Sequence, residues 1–455
     1  MNSITRSQLT ALLLITDIFA LICFGGGLSL WTALGYAAGT ALQLGAMLLI
    51  APLKLPKWLR PLFLAYMIFY GSVLLKRLWA AADVTFIPYE TSSGTGGKLL
   101  ITGLIALVCL YVSSAGMKAA ARSAVIAAAA GILFLLIDLT SALIHSDFGN
   151  ISASEPYGTF TGGLLLSVTA SGLPIALLTL LPLVKSSRRS AVLQYYICRL
   201  LVCTAVISTT LLVTGRLMKI ADFPVILAAQ LSQPFSTQRI DPLFLILFAV
   251  FGVFALTSQV MTGAYLVREI VPKFRKWRST AVISVTVLGA AAAVFLTGCS
   301  SSGLVHDKLY LRSIGIDGDN ITMSFFSDDK VISVKSGNIP EAKAMAELEA
   351  GKPIVTGFTE MIVLGDCSFQ RSLGYMLKTW KVSPSCMVVH SNHPDDTLKN
   401  GDTEQLEGSV KQAIAQNLAH ECGIADILGR LLTDGTAEVP VVNKDGFCLN
   451  AECVR

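Results

Sequence analysis

The chain has 455 residues, 53% of them hydrophobic and only 14% charged, with a formal net charge of +5. A mean hydropathy of +0.65 excludes an ordinary soluble globular protein. The basic residues lie mainly between apolar runs, not in a stripe with interleaved aromatics, so they mark topology and exclude a nucleic-acid footprint. The bias is also uneven. Residues 1–298 are strongly apolar, whereas 300–455 have mixed polarity and, at about 155 residues, the length to build a core of their own.

A membrane-spanning helix needs roughly 17–25 apolar residues. Nine segments of the first part qualify: 7–24, 29–51, 61–80, 99–115, 123–144, 163–184, 191–214, 242–267 and 280–297. With the N-terminus inside, the cytoplasmic loops carry Arg6, then Lys54, Lys57 and Arg60, then Lys118 and Arg122. They continue with Lys185, Arg188 and Arg189, and finally with Arg268 and the cluster Lys273, Arg275, Lys276, Arg278. The opposite loops hold fewer basic residues (Lys76, Arg77, Lys98, Arg216, Lys219 and Arg239) and collect acids instead. That asymmetry sets the orientation.

Ionisable residues within spans are costly and invite a functional reading. Asp17 sits in the first span, Asp138 in the fifth and Arg199 in the seventh. Arg199 is expected to snorkel toward the cytoplasmic surface. Asp138, about two turns from the outer end of its helix, is either a pocket or proton-linked group or one half of a structural pair, and Asp17 carries the same two readings. Two places break the helical pattern: Gly25-Gly26-Gly27 at the end of the first span, and Ser171-Gly172-Leu173-Pro174 inside the sixth. A discontinuity near the midplane exposes backbone groups that can bind a carboxylate or an ion, although proline kinks also occur without a site. Gly25, Gly26, Asp138, Ser171, Gly172 and Pro174 are therefore the candidate ligand-binding residues.

The ninth apolar run, Ala281 to Leu296, follows the last basic cluster and closes on Leu296-Thr297-Gly298-Cys299. Basic flank, apolar run and small-residue exit form the layout of a secretory signal. The tetrapeptide has the pattern of a bacterial lipobox, with Cys299 as the lipidated residue. Nine crossings from an inside N-terminus deliver everything after Cys299 to the outer face. The predicted fold is thus a polytopic all-α membrane domain, 1–298, with broken, transporter-like helices, followed by an exported mixed α/β domain, 299–455.

In the exported part, Ile314 and Ile316 alternate, Asp317-Gly318-Asp319-Asn320 supplies turn chemistry, and Ile321, Met323 and Phe325 alternate again, which predicts a hairpin. A helix is expected over 341–348, a buried strand over 361–364, an amphipathic helix over 370–380 and a strand over 386–389. Asp395 or Asp396 is placed to cap a short helix. Five cysteines, at 367, 386, 422, 448 and 453, allow one or two disulfides after export, with Cys448 and Cys453 the nearest pair in sequence. His306, His390, His393 and His420 fall in no catalytic spacing. A His390-x-x-His393 metal site and a pair of exposed loop histidines are both open readings. Without a nucleophile elbow or phosphate loop, neither an enzyme nor a cofactor is expected.

Three passages carry a resemblance in the first part: Leu55-Pro-Lys-Trp-Leu-Arg-Pro-Leu-Phe-Leu-Ala-Tyr66, the sixth span Gly158–Val184 ending in Leu-Thr-Leu-Leu-Pro-Leu-Val, and Arg239-Ile-Asp-Pro-Leu-Phe-Leu245. They resemble the permease-like B subunit of spore germinant receptors, a branch of the amino acid–polyamine–organocation transporter superfamily. The family has ten spans where nine are counted here, and its acidic residue in the middle of the sixth span is missing. In the second part Cys299-Ser-Ser, Ile314-Gly-Ile-Asp317, Gly337-Asn-Ile-Pro-Glu-Ala342, Thr359-Glu-Met-Ile-Val-Leu-Gly365 and Pro384-Ser-Cys-Met-Val-Val389 occur in order. That order resembles the first domain of the receptor's C subunit, a spore lipoprotein.

The resemblance implies a fused component of a nutrient germinant receptor in the spore inner membrane. It would bind a small nutrient such as an amino acid or sugar, signal through an A-type subunit, and be held to membrane lipid through Cys299, with no nucleic-acid partner. A secondary amino acid transporter with an appended extracytoplasmic domain is the alternative.

Overall fold

The computed structural model describes residues 3–52, 56–85, 107–109, 111–112, 115–142, 158–171, 174–219, 221, 223–231, 241–271, 308–326 and 331–454. The chain forms two compact units, the first drawn mainly from residues up to Ser300 and the second mainly from Ser301 onward.

Helices make up the first unit. They are α1 (Arg6–Phe24), α2 (Leu30–Ile50), α3 (Leu59–Thr85), α4 (Met117–Ala142), α5 (Phe160–Ala170), α6 (Ile175–Leu180), α7 (Arg188–Thr214), α8 (Pro224–Leu231) and α9 (Asp241–Ile270). Among the described residues seven segments are long and apolar enough to cross a membrane, with α5 and α6 together supplying one of them. They match seven of the nine expected spans. The expected spans at 99–115 and 280–297 lie largely or wholly outside the described residues, as does Cys299.

Local chemistry explains where α1 begins. Thr5 accepts from the Gln8 amide at 3.3 Å while the Gln8 side chain accepts from the Thr5 amide at 2.9 Å, a reciprocal capping box. Nearly all of α1 from Leu9 to Cys23 is buried, so this helix is the axis around which the unit packs. Its N-terminal approach is tied down by an isolated parallel bridge between Ile4 and Val184, with Ile4 N donating to Leu183 O at 3.0 Å and Lys185 N to Ile4 O at 3.1 Å.

The second unit is a mixed α/β structure, as the alternation of strands and helices predicted. Its sheet contains β1 (Leu309–Asp317), β2 (Asn320–Phe325), β3 (Val331–Lys335), β4 (Ile354–Val355), β5 (Met361–Leu364), β6 (Met387–His390), β7 (Ala437–Asn443) and β8 (Gly446–Val454). The order is β3-β2-β1-β5-β6-β7-β8, with β4 pairing beside the start of β1. The two ends are antiparallel, β1–β2–β3 and β7–β8, and the middle is parallel. Five helices accompany it: α10 (Ile339–Ala350), α11 (Phe369–Tyr375), α12 (Pro394–Asn400), α13 (Thr403–Ala415) and α14 (Ile424–Asp434). A π-turn over Met376–Trp380 extends α11.

The expected hairpin forms with Asp317 opposite Asn320, and Gly318 takes the positive φ of 56° that the tight turn needs. The capping expectation is corrected. His393 occupies the N-cap of α12 without a side-chain hydrogen bond, because Pro394 starts the helix and moves Asp395 and Asp396 into its first turn. Asp395 then serves as a fastener, accepting from Ser333 Oγ at 2.8 Å, from Thr322 Oγ1 and from Lys399 Nζ at 2.7 Å. Burial opposes its ionised form, but these donors outweigh it and hold the carboxyl below its ordinary range.

A depressed carboxylate stabilises the fold above its unfolded pKa of about 4, and that contribution disappears as pH falls through the lower folded value. Asp395→Asn is therefore expected to flatten the acid unfolding curve of this unit below about pH 4, measured by near-ultraviolet circular dichroism. A curve superimposable on wild type would remove Asp395 as a fastener.

The disulfide expectation is also corrected. The described cysteines Cys367, Cys386 and Cys422 are free thiols. Cys448 and Cys453 lie on the single strand β8 opposite Val441 and Glu438, three positions apart on β7, which separates their Cα atoms by about 10 Å, beyond disulfide reach.

Candidate functional site

Among the described residues, a dense cluster of polar side chains lies inside the apolar helical unit. Asp17, near the middle of α1, is 2% exposed, and Arg199 on α7 is fully buried. Arg199 Nε lies 3.5 Å from Asp17 Oδ2, and Tyr195, one turn earlier on α7, donates its hydroxyl to the same carboxylate oxygen at 2.6 Å. The guanidinium also reaches two further elements, α2 and α5. Nε reaches the Tyr36 hydroxyl at 3.2 Å, Nη1 reaches Gln43 Oε1 at 2.9 Å, and Nη2 donates to the backbone carbonyl of Ser167. The rings of Tyr36 and Tyr196 lie 5.4 and 5.9 Å from its Cζ.

This arrangement corrects the snorkelling expectation for Arg199. Snorkelling requires a free path to water for the head group, whereas here a carboxylate and several oxygens meet the guanidinium within the helix bundle. Burying either charge alone would be prohibitive, and the fork geometry of arginine satisfies several acceptors at once.

The same contacts explain how the break between α5 and α6 is accommodated. A helix end leaves carbonyls without amide partners. At the end of α5, Arg199 covers the Ser167 carbonyl, and the Tyr70 hydroxyl from α3 bonds the carbonyls of Thr169 and Ala170 at 2.8 and 3.2 Å. Ser171 Oγ turns back to Ser167 O at 3.1 Å and to Gln43 Oε1 at 3.4 Å. Gln43 in turn donates to Ser167 Oγ at 3.1 Å. A positive charge at a helix C-terminus also complements the helix dipole. One cluster thus links α1, α2, α3, α7 and the broken helix.

Of the residues chosen from sequence, Ser171 joins this cluster. Pro174 lies just beyond it, at the N-cap of α6. Gly172 lies outside the described residues. Asp138 stands on α4, and its side chain also lies outside the described residues. Gly25 and Gly26 do not converge on the same place. They end α1, and the neighbouring Gly27 packs beside Gly158 at the entry to α5. The eleven residues of α5 separate that entry from Ser171 by about 17 Å. The two sequence breaks therefore do not form one pocket.

Tyr36, Gln43, Tyr70, Ser167 and Tyr195 were not singled out. A helical reading of polar positions would have found some of them. Tyr36 and Gln43 are seven apart, and Tyr195 and Arg199 are four apart, so each pair shares a helix face.

Elsewhere, among the described residues, no group of three His, Cys, Asp or Glu side chains is placed to hold a metal ion. His390 is buried on β6, with its ring stacked 6.2 Å from Phe369. No family model matches the chain, and no curated protein is significantly similar to it.

Proposed function

We propose that the chain is a membrane-embedded, non-enzymatic component of a nutrient germinant receptor of the spore inner membrane. In this reading a permease-like part is fused to an extracytoplasmic scaffold unit, with Cys299 as lipid acceptor and an A-type subunit as partner. The observation that carries it is the closed Asp17–Arg199 cluster on the broken helix. Receptors respond through differential ligand affinity for two conformations. A charge pair that fastens a helix break to three neighbouring helices supplies such a two-state element. A small nutrient, an amino acid or a sugar, would shift it by offering the break alternative hydrogen bonds.

The backbone bridge supports the topology. Ile4 and Val184 pair directly, so they share one face of the membrane. Five of the seven candidate spans separate them, and a return to the same face takes an even number. The apolar segment 99–115 supplies the sixth crossing in this reading. From Val184, the spans of α7 and α9 and the apolar run 280–297 then carry the second unit to the outer face.

Spores carrying Arg199→Lys, which keeps the charge and loses the fork, are expected to respond poorly to nutrient while responding normally to a non-nutrient chemical trigger. A normal nutrient response in spores that lack the chain altogether would refute the receptor role.

A further inference from the structure

The second unit contains a cleft that the receptor reading does not use. It measures about 650 Å³ and opens between the β1–β2 turn, the loop from β3 into α10, and the first turns of α11. That volume lies within the range of small-molecule sites. Its floor includes the buried Ile321, and its walls carry Asp319 on the hairpin turn, Asn338 at the head of α10, and Ser368, Arg371 and Tyr375 from the α11 side.

Two of these side chains carry opposite charges. Among the described residues, neither the Arg371 guanidinium nor the Asp319 carboxylate has a hydrogen-bond or ion-pair partner, although both border one concavity. Elsewhere in the same unit opposite charges within reach do pair. Lys399 meets Asp395 at 2.7 Å, and Arg312 meets Glu360 and Glu404 at 3.5 Å. The cleft holds its two charges on separate elements, the β1–β2 turn and α11, with Ile321 and Tyr375 also in its lining.

We infer that this cleft binds a small zwitterion of the α-amino acid class, its carboxylate on Arg371 and its ammonium on Asp319. The guanidinium offers a planar fork that fits a carboxylate with two hydrogen bonds. The Ser368 hydroxyl adds a second donor on the same wall. Opposite it, the Asp319 carboxylate takes the ammonium, and the Asn338 side chain borders the same edge. Ile321 and Tyr375 would contact an apolar side chain, so an amino acid with a medium-sized aliphatic group fits better than glycine. A ligand bearing a single charge would leave one wall unpaired and gain correspondingly less.

The test uses the full chain in lipid nanodiscs and equilibrium dialysis against labelled leucine, glycine, propionate and ethylammonium. Leucine is expected to bind, glycine more weakly, and the singly charged probes at least about tenfold more weakly than leucine. Arg371→Met and Asp319→Asn should each weaken leucine binding at least about tenfold. Among the described residues, both side chains are exposed and make no internal hydrogen bond or ion pair, so both variants are expected to fold. No leucine binding, propionate binding as tight as leucine, or unchanged affinity in both variants would each overturn the assignment. Loss of leucine binding in Arg199→Met with retention in Arg371→Met would place the zwitterion in the helical unit and overturn it equally, while leaving the receptor reading standing.

Discussion

Replacing Arg199 by methionine is expected to destabilise the helical unit by about 3–5 kcal/mol, because it leaves the Asp17 carboxylate buried without its cation. Methionine retains the apolar stem, so the loss reports on the charge and its hydrogen bonds more than on volume. Three acceptors lose a donor as well: the Tyr36 hydroxyl, Gln43 Oε1 and the Ser167 carbonyl at the helix break, the last two keeping, among the described residues, only Ser171 Oγ. The double variant Asp17→Asn/Arg199→Met should recover part of the loss, since replacing both members of a buried pair is often close to neutral. A thermal-unfolding cycle on detergent-solubilised protein measures this coupling. A coupling indistinguishable from zero would mean that the two charges do not act as a pair.

The second large effect is expected at the contact between α2 and α5. Gly35 and Gly39 on α2 have the spacing that lets membrane helices approach closely, and on α5 Gly163 faces Gly35 while Ser167 faces Gly39. A Cβ on Gly163 would overlap the Thr32 carbonyl and lie 2.8 Å from the Tyr36 amide, and both of these are backbone atoms that no rotamer change can move. Gly163→Val should therefore cost at least about 3 kcal/mol, at the upper end of overpacking effects, or prevent assembly. The damage would also reach the cluster, because Tyr36 belongs to the segment displaced. Gly45 on the same helix α2 has nothing within 4 Å of its Cβ position. Gly45→Ala is expected to be neutral or to stabilise by up to about 1 kcal/mol through helix propensity. Thermal stability by fluorescence-detected size exclusion compares the two. Equal stability of Gly163→Val and wild type would contradict the close packing.

Legibility differed between the two units for a physical reason. Spans were readable because a membrane helix announces itself by length and hydropathy alone. Most strands and helices from Leu309 to Asn400, though not β3 and β4, were readable because period-2 alternation, turn residues and strong helix formers agreed locally. Past Asn400, α13, α14 and the β7–β8 hairpin had not been anticipated. In β7 the run Ala437-Glu-Val-Pro-Val-Val-Asn443 includes a proline, which argues against a strand on local grounds. That proline is accommodated at a register shift between Pro440 and Val441.

By itself, the sequence determined a polytopic apolar part, a polar α/β part after it, and the presence of Asp17, Arg199 and a Ser171–Pro174 break within spans. Which of these belong together was decided only by the tertiary structure. A buried charge reads the same in sequence whether it reaches water or meets a partner 182 positions away. Long-range pairing costs chain entropy that no local signal records. Packing of α1 against α7 and of α2 against α5 made Asp17, Arg199 and the end of the broken helix one cluster and left Gly25 and Gly26 outside it.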